Sequence, residues 1–371
     1  MTATVETINA TPTNGGASAS LLELRNVTQI FSSGPFWNRD HNYAVNDVSF
    51  TLSEKPALIT AVAGESGSGK TTLGRIMLGF QRPTLGQVLY MGNDVGAMNS
   101  QERKQYRRQV QAIFQDPFSV YNPFYKVDHI FTVAIARYRL ASSGDEARHM
   151  IEEAISGVGL RPSETLGRYP HQLSGGQRQR VMVARSLLLK PQVIIADEPV
   201  SMVDASLRAT ILETLRTLNH ELGIAILYIT HDLTTAYQVA DNIMIMYRGH
   251  VVEAGDVENV INDPKHPYTR LLVQSIPMPD PNRRWADMQG INTPPFSGID
   301  VTQQMCPFVN RCPDAVSECT QDVPNTYALD EYRISKCFLY QNEGAVSNVD
   351  IASYFNIRES SSDSSGTDAK L

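Results

Sequence analysis

Gly64-Glu65-Ser66-Gly67-Ser68-Gly69-Lys70-Thr71 follows a short apolar run at 57–62 and precedes a helix-patterned stretch at 71–78. The octapeptide fits G-x-x-x-x-G-K-S/T between a strand and a helix, the setting in which that pattern carries a mechanism. Glycines let successive backbone N–H groups turn inward around an anion, and the helix that follows presents its positive end to it. Lys70 can reach β- and γ-phosphates, and the Thr71 hydroxyl, next to Thr72, can ligate Mg²⁺. Residues 64–72 are therefore candidate ligands of a nucleoside triphosphate, ATP or GTP.

The chemistry that would pair with this loop lies at Val193-Ile194-Ile195-Ala196-Asp197-Glu198, an apolar run ending in two acids. A central parallel strand is buried on both faces, so unbroken apolar residues are expected there. Its C-terminal end is where open α/β sheets place ligands. Asp197 suits Mg²⁺, directly or through water, and Glu198 is placed to polarise an attacking water as general base. Kinases and simple GTPases would satisfy both motifs.

Around these motifs strands and helices alternate. Residues 21–27, 45–52 and 225–229 pattern as strands, and 127–138, 145–158, 205–222 and 233–239 as helices, with a long helix from about 174 to 189. This α/β alternation implies a largely parallel sheet covered on both faces, interrupted by a helical insertion at about 117–180. Residues 1–20 lack Lys and Arg and read as a disordered arm. The nucleotide-binding domain takes 21–261, a Pro-rich extension 262–340, and a mostly disordered tail 341–371. With 32 basic against 39 acidic residues the formal charge is -7, a poor footprint for nucleic acid. No apolar run approaches the ~18–20 residues that cross a bilayer. The chain is thus expected in the cytoplasm, with any membrane role coming through partners.

Leu173-Ser174-Gly175-Gly176-Gln177 separates the remaining classes. A serine and two glycines at the head of a long helix make a second anion-binding terminus. One triphosphate in one chain has no need of it; two chains placed head to tail do. Here the sequence, from about 21 to 276, resembles the ATP-binding-cassette (ABC) ATPases. The resemblance implies a P-loop NTPase fold with a RecA-like core, an antiparallel β subdomain and a helical subdomain. It implies that Ser174, Gly175, Gly176 and Gln177 complete the ATP site of a partner. Gln115, in Phe114-Gln115-Asp116-Pro117, would contact Mg²⁺ and water and hinge the helical subdomain. Asp204, in Ser201-Met202-Val203-Asp204, would lie in a loop crossing the dimer interface. The family's usual form there is Ser-Ala-Leu-Asp, from which Met202-Val203 departs. His231, in Thr230-His231-Asp232, would bond the γ-phosphate, and Phe31, with Tyr43 less favoured, would stack on adenine. Lys70, Gln115, Glu198 and His231 form the expected catalytic set.

Tyr121-Asn122-Pro123 after Pro117, and His266-Pro267-Tyr268-Thr269 with Leu271-Leu272 and Ile276-Pro277, resemble the oligopeptide/dipeptide-type importer ATPases. This implies an ATP-hydrolysing subunit at the cytoplasmic face of a membrane. Its partners would be a paralogous ATPase or a second copy, two transmembrane permease subunits and an extracytoplasmic binding protein. Peptides are the default cargo and oligosaccharides the alternative; a soluble cassette ATPase acting on ribosomes or DNA is the reading from another class. The branch also carries a C-terminal cysteine motif, and Cys306, Cys312, Cys319 and Cys337 are this chain's four cysteines. Disulfides are disfavoured in the cytoplasm, whereas four clustered thiolates suit tetrahedral Zn²⁺ or an iron–sulfur cluster. Free or redox-active thiols stay open. Intervals of five and six residues exceed the short C-x2–4-C knuckles of most zinc sites, and the resemblance leans towards a 4Fe–4S cluster acting as a structural staple.

Overall fold

The computed structural model describes residues 20–34, 40–116, 121–201, 203–276, 295–296, 298–299, 301–347 and 349–357. Of the arm read at 1–20, residues 1–19 lie outside the described residues and Ser20 begins the first strand; Pro117, Met202, Pro277 and the end of the tail from 358 also lie outside them.

Runs that are apolar at every position are stable as strands only when both faces are covered, and they form the centre of the main sheet. In chain order the antiparallel ribbon β1 (Ser20–Ser33) and β2 (Asp40–Ser53) is followed by β3 (Ile59–Ala63). Then come β4 (Leu85–Tyr90), β5 (Asn93–Asp94) and β6 (Val110–Ile113). β7 (Val193–Asp197), β8 (Ala225–Thr230) and β9 (Asn242–Tyr247) complete the parallel half of the sheet, β8 and β9 buried at every position. Its order is β6-β7-β8-β3-β9.

The sheet does not stop there. Arg248 and Gly249, with φ of 44° and 82°, make the two-residue turn that suits hairpin twist, and β10 (His250–Asp256) returns antiparallel to β9. β12 (Arg333–Ser335), β11 (Thr326–Asp330) and β13 (Ala345–Val346) add to its far edge. The largely parallel sheet expected from the alternation holds from β6 to β9; the other half is antiparallel. A second, antiparallel sheet has the order β2-β1-β4-β5.

α1 (Lys70–Met77) lies between the two sheets. Its Leu73, Ile76 and Met77 share one core with Leu22, Leu24 and Phe50 of the ribbon and with Ile195, Ile229 and Met244 of the main sheet. α2 (Ser100–Gln109) leads into edge strand β6. The helical insertion holds α3 (Asp128–Tyr138), α4 (Gly144–Gly157) and the short α5 (Pro162–Thr165). Phe131, Ile151 and Ile155 of that insertion pack in one cluster with Val181 and Met182 of α6 (Gly175–Leu187). α7 (Ala205–Leu222), α8 (Leu233–Val239), α9 (Val257–Asn262) and α10 (Pro267–Gln274) follow.

Two features of the C-terminal part add to the sequence reading. The extension from 262 joins the main sheet in its later part, where β12 pairs with β10 through Glu253–Ser335 and Gly255–Arg333. The tail read as mostly disordered from 341 holds ordered structure to 357. Thr51 N–H donates to Asp350 Oδ1 at 3.0 Å, and the Phe355 and Phe50 rings lie 5.9 Å apart. Buried Ile351 and Phe355 are the cause: two apolar anchors suffice ahead of the Ser- and Asp-rich end at 360–371.

Candidate nucleotide site

β3 delivers the chain into the glycine loop, and the loop's conformation explains its glycines. Gly64 and Gly69 have φ of +150° and +107°, and a Cβ on either would fall 2.1 Å from the Met246 carbonyl oxygen or 1.9 Å from that of Ala44. Only glycine fits such approaches. Ser66 and Gly67 are exposed, Ser68 is buried and Thr72 is half-buried. Lys70, the first residue of α1, is buried, and its ammonium donates to the carbonyls of Gly64 (2.7 Å) and Glu65 (2.8 Å). Burial pushes its pKa down, against the opposing pull of Glu198, Asp197 and Glu65. The first turn of α1 brings unpaired N–H groups to the same place.

The carboxylates arrive from β7. Asp197 Oδ1 accepts from the Thr71 hydroxyl at 3.4 Å, and Glu198 follows with φ of +47°, left-handed backbone that is uncommon outside glycine. Its N–H is held by the Ile229 carbonyl at 2.9 Å. A strained residue held in place by its surroundings points to a functional position. Glu198 is also where other elements converge. The Gln115 amide, just past β6, donates to Oε2 at 2.9 Å, and His231, just past β8, lies 3.0 Å from Oε1 through Nδ1. Thr71, Asp197, Glu198, Gln115 and His231 thus meet along the C-terminal edge of the parallel strands, with the Lys70 ammonium feeling the charge of both carboxylates.

Ser174 to Gln177 stand apart from it. Ser174 caps α6 in a reciprocal box, Gln177 N–H to Ser174 Oγ at 3.2 Å and Ser174 N–H to Gln177 Oε1 at 2.9 Å. Ser174 is exposed, Gly175 half-buried, and Gly176 abuts Leu207 so closely that a Cβ would sit 2.5 Å from its Cδ1. Among the described residues, the hydrogen bonds of the Glu198 group do not include Ser174 or Gln177. Asp204 is exposed at the head of α7 with no capping bond from its side chain. Phe31 presents 46% of its surface, which leaves a ring face open; Tyr43 is half-buried beside Ala44, whose carbonyl lies over Gly69. Two residues not assigned to the site from sequence touch the loop: Tyr268, whose hydroxyl accepts from Glu65 N–H, and Arg311, paired with the Glu65 carboxylate.

All four cysteines are buried and unbridged. The thiols of Cys306 and Cys319 are hydrogen-bonded, lowering Cys319 to about 7 and raising Cys306, while burial raises Cys312 to about 12 and Cys337 to about 11. The donor chemistry suits a soft metal. Yet no group of three or more His, Cys, Asp or Glu among the described residues is set to hold a metal, so the side chains form neither the tetrahedral zinc arrangement nor a preformed four-cysteine cluster site.

Residues 45–201 match the family model described as ABC transporter, and 252–319 match that of the oligopeptide/dipeptide transporter C-terminal region. The chain is 35% identical to a putative oligopeptide transport ATP-binding protein of Bacillus subtilis over 87% of its own length and 96% of that protein's. It is 37% identical to an oligopeptide transport ATP-binding protein of Salmonella typhimurium over 76% and 83% of the two chains. A solved dimeric ATP-binding cassette in a post-hydrolysis state with ADP and Pi superposes with a TM-score of 0.57 at 29% identity, over 64% of this chain and 99% of that one.

Proposed function

Since the chain belongs to the ABC transporter ATPases, in their oligopeptide/dipeptide branch, we propose that its hydrolytic site is shared between two subunits. The chain is the ATP-binding and ATP-hydrolysing subunit of a peptide importer. The observation that carries the shared site is the separation just described: Gln115 and His231 converge on Glu198 beside Asp197, Thr71 and Lys70, while the Ser174–Gln177 terminus is built and capped elsewhere.

In this reading Phe31 stacks on adenine, residues 64–72 wrap the phosphates and Lys70 neutralises them. The hydroxyl and carboxylate oxygens of Thr71 and Asp197, with the Gln115 amide oxygen, are a hard donor set that fits Mg²⁺. Mg²⁺, when bound, would draw charge from the β- and γ-phosphates. Glu198 accepts the proton of the attacking water, Gln115 and His231 hold its carboxylate, and His231 bonds the γ-phosphate. A second subunit, paralogue or copy, supplies Ser174, Gly175, Gly176 and Gln177, and Asp204 lies at the seam. The similar cassette solved as a dimer with ADP and Pi supports that arrangement. Among the described residues no helix is long and apolar enough to cross a membrane. Translocation then belongs to permease subunits fed by a substrate-binding protein, and this subunit works from the cytoplasmic face.

Glu198→Gln keeps the side chain's shape and removes the base. The variant is expected to bind ATP, accumulate as ATP-bound dimers in size-exclusion chromatography, and lose turnover by at least ~100-fold, within the usual range for general-base loss. Full turnover would refute the assignment. For the C-terminal segment we propose a thiolate-ligated iron–sulfur cluster held by Cys306, Cys312, Cys319 and Cys337, supported by four buried thiols in one short stretch. Iron and acid-labile sulfide in anaerobically purified protein, with visible absorbance, are the expected result; colourless, zinc-loaded or metal-free protein rejects it.

A further inference from the structure

We propose that Arg311 is a positioning residue for the phosphate loop, gripping Glu65 so that residues 64–71 keep the shape that receives ATP. Glu65 is the first residue after Gly64, and a carboxylate there would repel a triphosphate if it turned inward. It turns outward instead: Arg311 Nη1 and Nη2 donate to its two oxygens, each at 2.9 Å. A forked guanidinium fixes a carboxylate's direction as well as its charge. The Glu65 backbone N–H is also taken, donating to the Tyr268 hydroxyl at 2.8 Å. Two contacts from two C-terminal elements therefore meet on one loop residue.

Both gripping residues are firmly backed. Tyr268 is fully buried in α10, its ring 4.5 Å from Tyr247 and 5.5 Å from Phe308. The Arg311 guanidinium lies 5.8 Å from the Tyr247 ring and 5.6 Å from the Phe308 ring. From the cassette side, Gly249 N–H donates to the Ser68 carbonyl at 2.9 Å. The loop is thus braced by the β9–β10 turn below and by the C-terminal segment at its entrance. Arg311 lies between Cys306 and Cys312, so the cysteine segment forms part of the wall of the ATP site. The side chains of the pair are 41% and 39% exposed, so their contribution is chiefly geometric and the expected effect modest.

This role rests on residues 64–71 being the nucleotide loop. Lys70→Ala tests that separately, since loss of Lys70 alone should abolish tight ATP binding. On the full chain, Arg311→Gln is expected to raise the Kd of a fluorescent ATP analogue and the KM for ATP about fivefold, with kcat within about twofold. Arg311→Lys recovers only part, because an ammonium cannot bind both oxygens. Glu65→Gln decides by sign. Removing a negative charge near the phosphates tightens ATP if only the field matters; loosening the brace weakens it. We expect weaker binding, and no further loss in the Glu65→Gln/Arg311→Gln double variant. Tighter binding in Glu65→Gln, additive losses, or an unchanged Kd in Arg311→Gln overturns the proposal. Should Arg311→Gln unfold, the sign of the change in Glu65→Gln is decisive alone, because the C-terminal segment is untouched.

Discussion

Asp197 ends a strand whose other residues are wholly buried. Its carboxyl is raised above the ordinary aspartate value, first by burial and then by neighbouring Glu198, against the lowering effects of the Thr71 hydrogen bond, Lys70 and Arg75. A raised folded pKa means that the folded chain holds the proton more tightly than the unfolded chain. Stability from this group is therefore full below the unfolded value and lost as pH rises through the folded one. At pH 7 the ionised carboxylate detracts from stability and is retained for what it binds. Asp197→Asn should raise the calorimetric melting temperature at pH 7 while suppressing Mg²⁺-dependent hydrolysis, and its advantage should shrink as pH falls towards 3.8, the ordinary aspartate value. A lower melting temperature at pH 7 would show that the Thr71 contact outweighs desolvation.

α6 shows what a single element carries. Its first residues serve both as helix cap and as the terminus offered to a partner's ATP, and the two roles separate by substitution. Ser174→Ala removes the Oγ that accepts Gln177 N–H and should lower the unfolding free energy by about 1 kcal/mol, while Ser174→Thr should stay near the parent; denaturant titration of both checks it. This element was legible because a cap, a glycine pair and a long periodic run agree. β7 was legible for a like reason, an apolar run ended by acids. β11, β12 and β13 were not: strands of five, three and two residues carry too little periodicity, and their place depends on β12 pairing with β10, some 80 residues earlier, with β11 and β13 added outside it. The Glu65 contacts were hidden more deeply. Tyr268 and Arg311 lie in stretches that carry the family resemblance, but a partner 203 or 246 residues away leaves no local pattern.

At the scale of the whole molecule, buried neutral histidines on either side of the junction between cassette and C-terminal segment set how the protein answers acid. His250 in β10 meets the Asn46 amide at 3.2 Å through Nε2, and His266 caps α10, its Nδ1 accepting from Tyr268 N–H at 3.0 Å. Burial, then Lys336, lowers His250 to about 3; burial, then Arg270, lowers His266 to about 3. A depressed histidine stays neutral when folded and takes a proton when unfolded. Its contribution is complete above 6.5, the ordinary histidine value, and is lost as pH falls from there towards about 3. Each such group tilts stability by about 1.4 kcal/mol per pH unit inside that window. Since His266 sits behind Tyr268, the same acid limb should loosen the brace on Glu65 before the cassette core fails. His266→Asn supplies a neutral capping oxygen that does not titrate. Its unfolding free energy, followed by denaturant titration from pH 7 to pH 5, should fall less steeply than the parent's by about one proton, and ATP affinity should hold further into acid. An unchanged slope would mean that His266 is protonated in the folded chain, and the junction would then owe its acid sensitivity to other groups.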